Sequence, residues 1–443
     1  MLFRSTRRQF LVGLPVSLAV ACPGFGSLAL AMAAAPTARR LVVVILRGAL
    51  DGLAAVAPYG DPAYRSQRGP LAMAEPGKAD GLLDLGGHFG LHPALAPLHA
   101  FYRNGQLAVF HAVASPYRGR SHFDGQDLLE TGFATPRQAP SSLREAGESG
   151  WLNRALGLLP VSHPFPQNRP GLAMGQTVPL ILRGAAPVSS WAPAAMPEPN
   201  PDLIGRLVQL YLGDPLLAPA LEEGLRGQLF ADTALAVPAP APVSPPPPPV
   251  GGMGGPTAAT PAPASAPRPS GGDFPALAVT LARFLNPEAG PRVAVMELGG
   301  WDTHAGQGAA KGRLADALRP LAVGLAGLAQ TLTPEIWRQT AVVVVTEFGR
   351  TVAVNGTGGT DHGTGGCAFL FGGAVVGGRV MTDWPGLAQP ALFEGRDLMP
   401  TLDLRAVLKG VLRDHLGLPI AGINATVFPD SGAVAPVAGL IRT

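Results

Sequence analysis

Cysteine is almost missing from these 443 residues: there are two, Cys22 and Cys367. Cys22 falls in an N-terminal leader, so Cys367 is the one cysteine expected in the mature chain. That excludes an intrachain disulfide and a cysteine ligand set for a metal. Charge is also scarce, at 14% of residues, and nearly cancels, with 33 basic against 30 acidic side chains. The small basic excess is Arg4, Arg7 and Arg8 of the leader, and the balanced remainder has no general electrostatic reason to bind nucleic acid or an anionic membrane. There is no phosphate-cradling P-loop, no Gly-x-Ser-x-Gly elbow, no redox-cofactor fingerprint and no repeat of fixed period. The apolar stretch Leu11 to Ala21 is shorter than a spanning helix needs, so no integral membrane segment is expected in the mature chain.

What is present is a globular composition, 47% hydrophobic, behind a leader (1–35) that carries Ser5-Thr6-Arg7-Arg8-Gln9-Phe10-Leu11. This twin-arginine pattern, followed by small-residue cleavage options such as Ala29-Leu30-Ala31, predicts export of a folded chain to the periplasm or beyond. Leu18 to Cys22 faintly resembles a lipoprotein cleavage box, but a leader cysteine without a role is the plainer reading. Residues 236–272 are almost wholly Pro, Ala, Gly, Ser and Thr, which reads as a linker unable to build a core. It is taken as an insertion within one α/β domain, whose parts are 36–235 and 273–443. Short apolar strands lie on both sides of it: Leu41 to Leu46, Leu107 to Val113, Arg292 to Glu297 and Thr340 to Thr346. Helices are expected at Ser121 to Thr131, Pro201 to Leu212, Phe274 to Leu285 and Ala309 to Thr331, with another after Leu402. Strands alternating with helices predict a three-layer α/β/α sandwich with a mostly parallel sheet.

In such sheets ligands bind outside the carboxyl ends of the strands. The most informative residues sit there. Thr346-Glu347-Phe348-Gly349-Arg350 follows one buried strand, and Asp361-His362 lies in the next loop. Glu297 ends another strand, before Trp301-Asp302-Thr303-His304. A lone histidine is usually structural, but two Asp/His pairs beside glycines at strand ends are the inventory of a metal site. Oxygen and imidazole donors fit zinc, manganese or iron, whereas carboxylates alone would fit magnesium or calcium. Such groups gathered without a cation repel, so raised carboxylate pKa values are expected there, and Asp302→Asn is expected to leave the metal-free fold intact or slightly more stable. Asp51, before Gly52, is either a turn residue or a further ligand. Ser121 opens a helix after Arg118 and Arg120, beside His122 and Asp124. It is either an N-cap or a nucleophile at an anion-binding helix end. His88 and His92 read as structural, and Cys367 as a buried inert thiol.

Jointly, Arg47-Gly48-Ala49-Leu50-Asp51-Gly52, Leu91-His92-Pro93-Ala94-Leu95, Ser121-His122-Phe123-Asp124, Gly300-Trp301-Asp302-Thr303-His304, Thr346 to Thr351 and Asp361-His362-Gly363 resemble the domain-of-unknown-function 1501 family. That family is in turn similar, more distantly, to the alkaline phosphatase and sulfatase superfamily. The resemblance implies an alkaline-phosphatase-like sandwich and a two-metal site. Asp51, Glu297, Asp302, His304, Glu347 and His362 would be metal ligands and Ser121 the nucleophile. Arg120 or Arg350 would neutralise the ester oxygens. Phe348 stands where the superfamily has a metal-binding histidine, and His304 is not at the usual spacing from Asp302. His122 or Asp361 would then supply a ligand instead. The implied activity is metal-dependent hydrolysis of an anionic phosphate or sulfate ester, with zinc first among the metals and manganese or magnesium next. The alternative is a non-catalytic secreted binding or assembly protein that keeps the fold and at most a structural metal.

Overall fold

The computed structural model describes residues 39–134, 149–159, 170–193, 201–215, 217–236 and 273–442. The expected leader with Cys22, and residues 237–272 of the expected insertion, lie outside the described residues. The body is built on one large sheet. Its strands are β1 (Arg40–Leu46), β2 (Leu107–Ala114), β3 (Gly171–Met174), β4 (Val188–Trp191), β5 (Val293–Leu298), β6 (Thr340–Thr346), β7 (Gly366–Phe371), β8 (Arg379–Met381) and β9 (Leu402–Asp403). The spatial order is β8-β2-β7-β6-β1-β5-β3-β4, with β9 also paired to β2. Strand β1 lies between β5 and β6 and is parallel to both. Strand β7 is antiparallel to β6 and β2, while the other pairings are parallel. The chain before residue 237 and the chain after residue 272 therefore interleave in one sheet.

The sheet is central because β1 and β6 are apolar on both faces. Val42, Val44 and Leu46 join one buried cluster with Val342 and Val344, and Leu41, Val43 and Ile45 join another with Val343 and Val345. Each fully buried Val, Leu or Ile contributes roughly 1.5–3 kcal/mol, so a charge introduced at one of these apolar positions would undo the core. Helices α1 (Ala96–Arg103), α4 (Phe274–Leu285) and α5 (Arg313–Thr331) supply the first face; α3 (Trp151–Gly157) and α6 (Leu404–Asp414) supply the second. The result is the expected three-layer α/β arrangement. Helix α2 (His122–Thr131) follows β2, with Ser121 at its N-cap.

Helix α4 has its expected bounds, because the Asp273 side chain caps Ala276 N–H. Helix α5 starts four residues later than expected: Gly308 and Gly312 take φ of 75° and 126°, a left-handed turn that a helix cannot continue through. No described helix is long and apolar enough to cross a membrane.

Candidate metal centre

Strands β1, β5 and β6 end at one edge of the sheet. The reversed direction of β7 brings the loop before it, with Asp361 and His362, to that same edge. Helix α2 presents its first residue there too. At this edge Asp302 Oδ1 lies 3.0 Å from His304 Nε2, 3.4 Å from His362 Nε2 and 3.5 Å from His122 Nε2. The Nε2 atoms of His304 and His362 are 2.9 Å apart. The donor atoms of His122, Asp302 and His362 all lie within 4.8 Å of one another. Zinc at about 2.0–2.1 Å from tetrahedral ligands implies donor–donor edges of about 3.3–3.4 Å, close to these separations.

The far nitrogen of each ring decides what the near one can do. His362 Nδ1 lies 2.8 Å from the carbonyl of Arg120, which only accepts, so Nδ1 carries the hydrogen. His122 Nδ1 donates to Glu347 Oε1 at 2.8 Å, and His304 Nδ1 to Asp361 Oδ1 at 3.1 Å. A neutral imidazole has one N–H. With the hydrogen on Nδ1 each Nε2 is free to ligate; those of His122 and His362 gather with an Asp302 oxygen, and His304 Nε2 lies beside Asp302 and His362. The His122 Nε2 is buried and makes no hydrogen bond. This is how metal-binding histidines are oriented by outer acceptors.

Electrostatics fit that arrangement and correct one expectation: the carboxylates here are held below their usual range, not above it. Burial alone would raise Asp302, but the Arg350 guanidinium bonded to it, with His304 and His122 nearby, brings it down. Burial of Glu347 is likewise outweighed by hydrogen bonds from His122, the backbone, Thr346 and Gln126. Asp361 is lowered first by its hydrogen bond from Asn355. His122 is raised, mainly by Glu347, whereas burial lowers His362. Half of the Asp302 side chain stays open to solvent, as does much of His304.

Several residues expected as ligands stand behind this cluster. Glu347 is fully buried; its Oε1 accepts from His122, from Gly48 N–H at 2.8 Å and from Gln126 at 3.2 Å, so it orients His122. Asp361 does the same for His304. Asp51 faces inward, where its carboxylate meets buried Arg68, Gln307 at 2.6 Å and Ala54 N–H at 3.2 Å. Glu297 turns to Arg47, whose guanidinium also reaches Glu130 at 2.7 Å.

The two arginines expected to meet substrate are occupied. Arg350 is buried and donates to the carbonyls of Ala49, Thr360, Gly48 and Trp301 as well as to Asp302, tying three site loops together. Arg120 pairs with Asp397 and Glu394. Ser121 is half-buried between Arg120 and His122, and its hydroxyl makes no cap hydrogen bond. Phe348 is an apolar wall, stacked on His122 at 5.0 Å between ring centres and 5.2 Å from His362.

His92 caps Ala94 N–H and reaches Ala309 O, as its structural reading required, and His88 packs edge-on against Phe89 and Trp384. Burial pushes the Cys367 thiol pKa up, in keeping with an inert residue. Gln126 and Asn355 were not foreseen. Gln126 could have been, since it lies one helical turn after His122 and so shares its face; Asn355 left no sequence signal. A cavity of about 820 Å³ beside β4, lined by Trp191 and Phe284, contains no member of the cluster.

No curated protein matches the chain. Residues 38–424 match a protein family of unknown function, DUF1501, and on that match the chain belongs to this family.

Proposed function

We propose that this protein is an exported metal-dependent hydrolase of a phosphate or sulfate ester, with one metal held by His122, Asp302, His304 and His362. The observation that carries the reading is the gathering of His122, His362 and an Asp302 oxygen within ligand distance of one another, with His304 beside Asp302 and an outer acceptor at the Nδ1 of each ring. The nitrogen-rich donor set favours zinc, manganese or iron and points away from magnesium. A bound divalent cation would polarise the ester and lower the pKa of a nearby hydroxyl. Ser121 supports the nucleophile role because it adjoins His122, leaves its hydroxyl uncommitted, and opens a helix of 10 residues. The free N–H groups and positive end of that helix favour an incoming anion. In the reaction Ser121 Oγ bonds to phosphorus or sulfur, the ester oxygen departs with the serine proton as the alcohol, and water then frees the serine. Negative charge would be met by a bound cation and by the helix end, since Arg120 and Arg350 are committed to other partners. The twin-arginine leader supports an extracytoplasmic site of action.

A second reading rests on the count of four protein donors, as in closed structural zinc sites, and on both arginines being committed. It makes the protein a non-catalytic binding or assembly factor. Metal analysis and turnover of aryl phosphates and sulfates separate the two. The hydrolase reading expects about one metal per chain and turnover lost in Ser121→Ala with metal retained. Metal without turnover favours the binding protein; no metal in the wild type refutes both forms of the site.

A further inference from the structure

We infer that Arg120 is a positioning residue for His362, working through its own backbone carbonyl; this rests on the metal-centre reading above. Arg120 has φ of 61° and its partner Glu394 φ of 52°, a left-handed conformation that non-glycine residues seldom adopt. Such conformations persist when surrounding contacts hold them, and they concentrate at functional sites. Here the conformation accompanies a carbonyl that accepts His362 Nδ1–H at 2.8 Å and so fixes the tautomer and tilt of the ring. The side chain supplies the hold. Its Nε donates to Asp397 at 2.9 Å and its terminal nitrogen to Glu394 at 2.6 Å. The fully buried Asp397 also pairs with Arg396 at 3.1 Å, and Arg396 donates to the carbonyl of His362 itself. One carboxylate thus anchors two arginines that grip His362 at its ring and at its backbone. A guanidinium kept for substrate would not be spent on two carboxylates.

The test measures zinc affinity of the full chain by competition with a chromogenic chelator, the visible absorption of the cobalt-loaded protein, and the melting temperature of the metal-free protein. Loss of an outer partner of a metal-bound histidine typically weakens binding about 10–100-fold. Arg120→Ala should lose affinity in that range and alter the cobalt spectrum, beyond any change in metal-free melting. Arg120→Gly, free to adopt the left-handed backbone, should recover part of the loss. Asp397→Asn, which keeps the side-chain shape, should weaken zinc in the same direction and carries the test if Arg120→Ala does not fold. Wild-type zinc affinity in Arg120→Ala, with a raised KM for an aryl phosphate, would overturn the inference and assign the guanidinium to substrate. A wild type that binds no zinc would instead sink the metal centre itself, and this inference with it.

Discussion

Replacing Asp302 with asparagine tests the centre directly, because one oxygen of this residue faces three imidazoles and a buried guanidinium. Asn keeps the shape and can still accept from Arg350, but it removes the anion. The bond to the guanidinium survives but the ion pair does not, and with Asp302 half open to solvent that pair contributes about 0.2–1 kcal/mol, so the metal-free fold should lose up to about 1 kcal/mol. Arg350 thereby reverses the sequence-based expectation of an unchanged or stabilised fold: it is a buried cation, and Asp302 is its carboxylate partner. At about 2.1 cal/mol/K of unfolding entropy per residue, the roughly 340 described residues imply a shift of roughly 1.4 °C per kcal/mol. The metal-free variant should therefore melt at most about 1–2 °C below the wild type. Zinc at a hundred times its Kd should stabilise the wild type by about 2.7 kcal/mol, or about 4 °C, and the variant hardly at all. Thermal melts with and without zinc read both numbers. Equal zinc-induced shifts in the two proteins would refute the assignment of Asp302 as a ligand.

Glu347→Gln should weaken zinc by about 10–100-fold while leaving one metal site, since the residue orients His122 from behind; unchanged affinity in chelator competition would remove that role. His111 is buried, donates to Val56 O at 2.9 Å and accepts from Ala112 N–H at 2.8 Å, and burial pushes its pKa down to about 4. The folded state refuses a proton that the unfolded chain takes near pH 6.5, so stability is full above about pH 6.5 and falls as pH drops toward 4, by at most about 3 kcal/mol. Urea melts across that window should be visibly flatter for His111→Gln than for the wild type. Replacing Arg7 and Arg8 together with lysine should hold the precursor in the cytoplasm, and normal periplasmic accumulation on cell fractionation would refute twin-arginine export.

Much of the scaffold was legible in sequence. Runs such as Ala341 to Val345 are β-branched and apolar on both faces, which only a covered central strand satisfies, and Asp273 marks the start of α4 by its capping chemistry. These signals are local, so a linear reading retrieves them. The edge carrying Asp302, His304 and His362 was legible too, because parallel strands put their carboxyl ends together. Asp51 and Glu297 occupy that same edge in sequence terms, yet each turns away toward an arginine, Arg68 or Arg47.

Sequence by itself therefore determined the four strands β1, β2, β5 and β6, the helices α2, α4 and most of α5, and the short list of chemical groups; the remaining strands of the sheet and helices α1 and α3 emerged only in the structure. Tertiary structure decided which of those groups meet. The antiparallel course of β7 carried His362 to the site. The pairing of Arg350 with four carbonyls and one carboxylate fixed its guanidinium in the buried frame of the site. The placement of α2 brought His122 to within 3.5 Å of Asp302 and set Glu347 against its Nδ1. Each outcome depends on groups roughly 50 to 300 positions apart competing for the same carboxylates, as the His362 ring at Asp302 and the Gly48 N–H at Glu347 illustrate. That competition is settled by sheet order and burial, and no local pattern of residues encodes it.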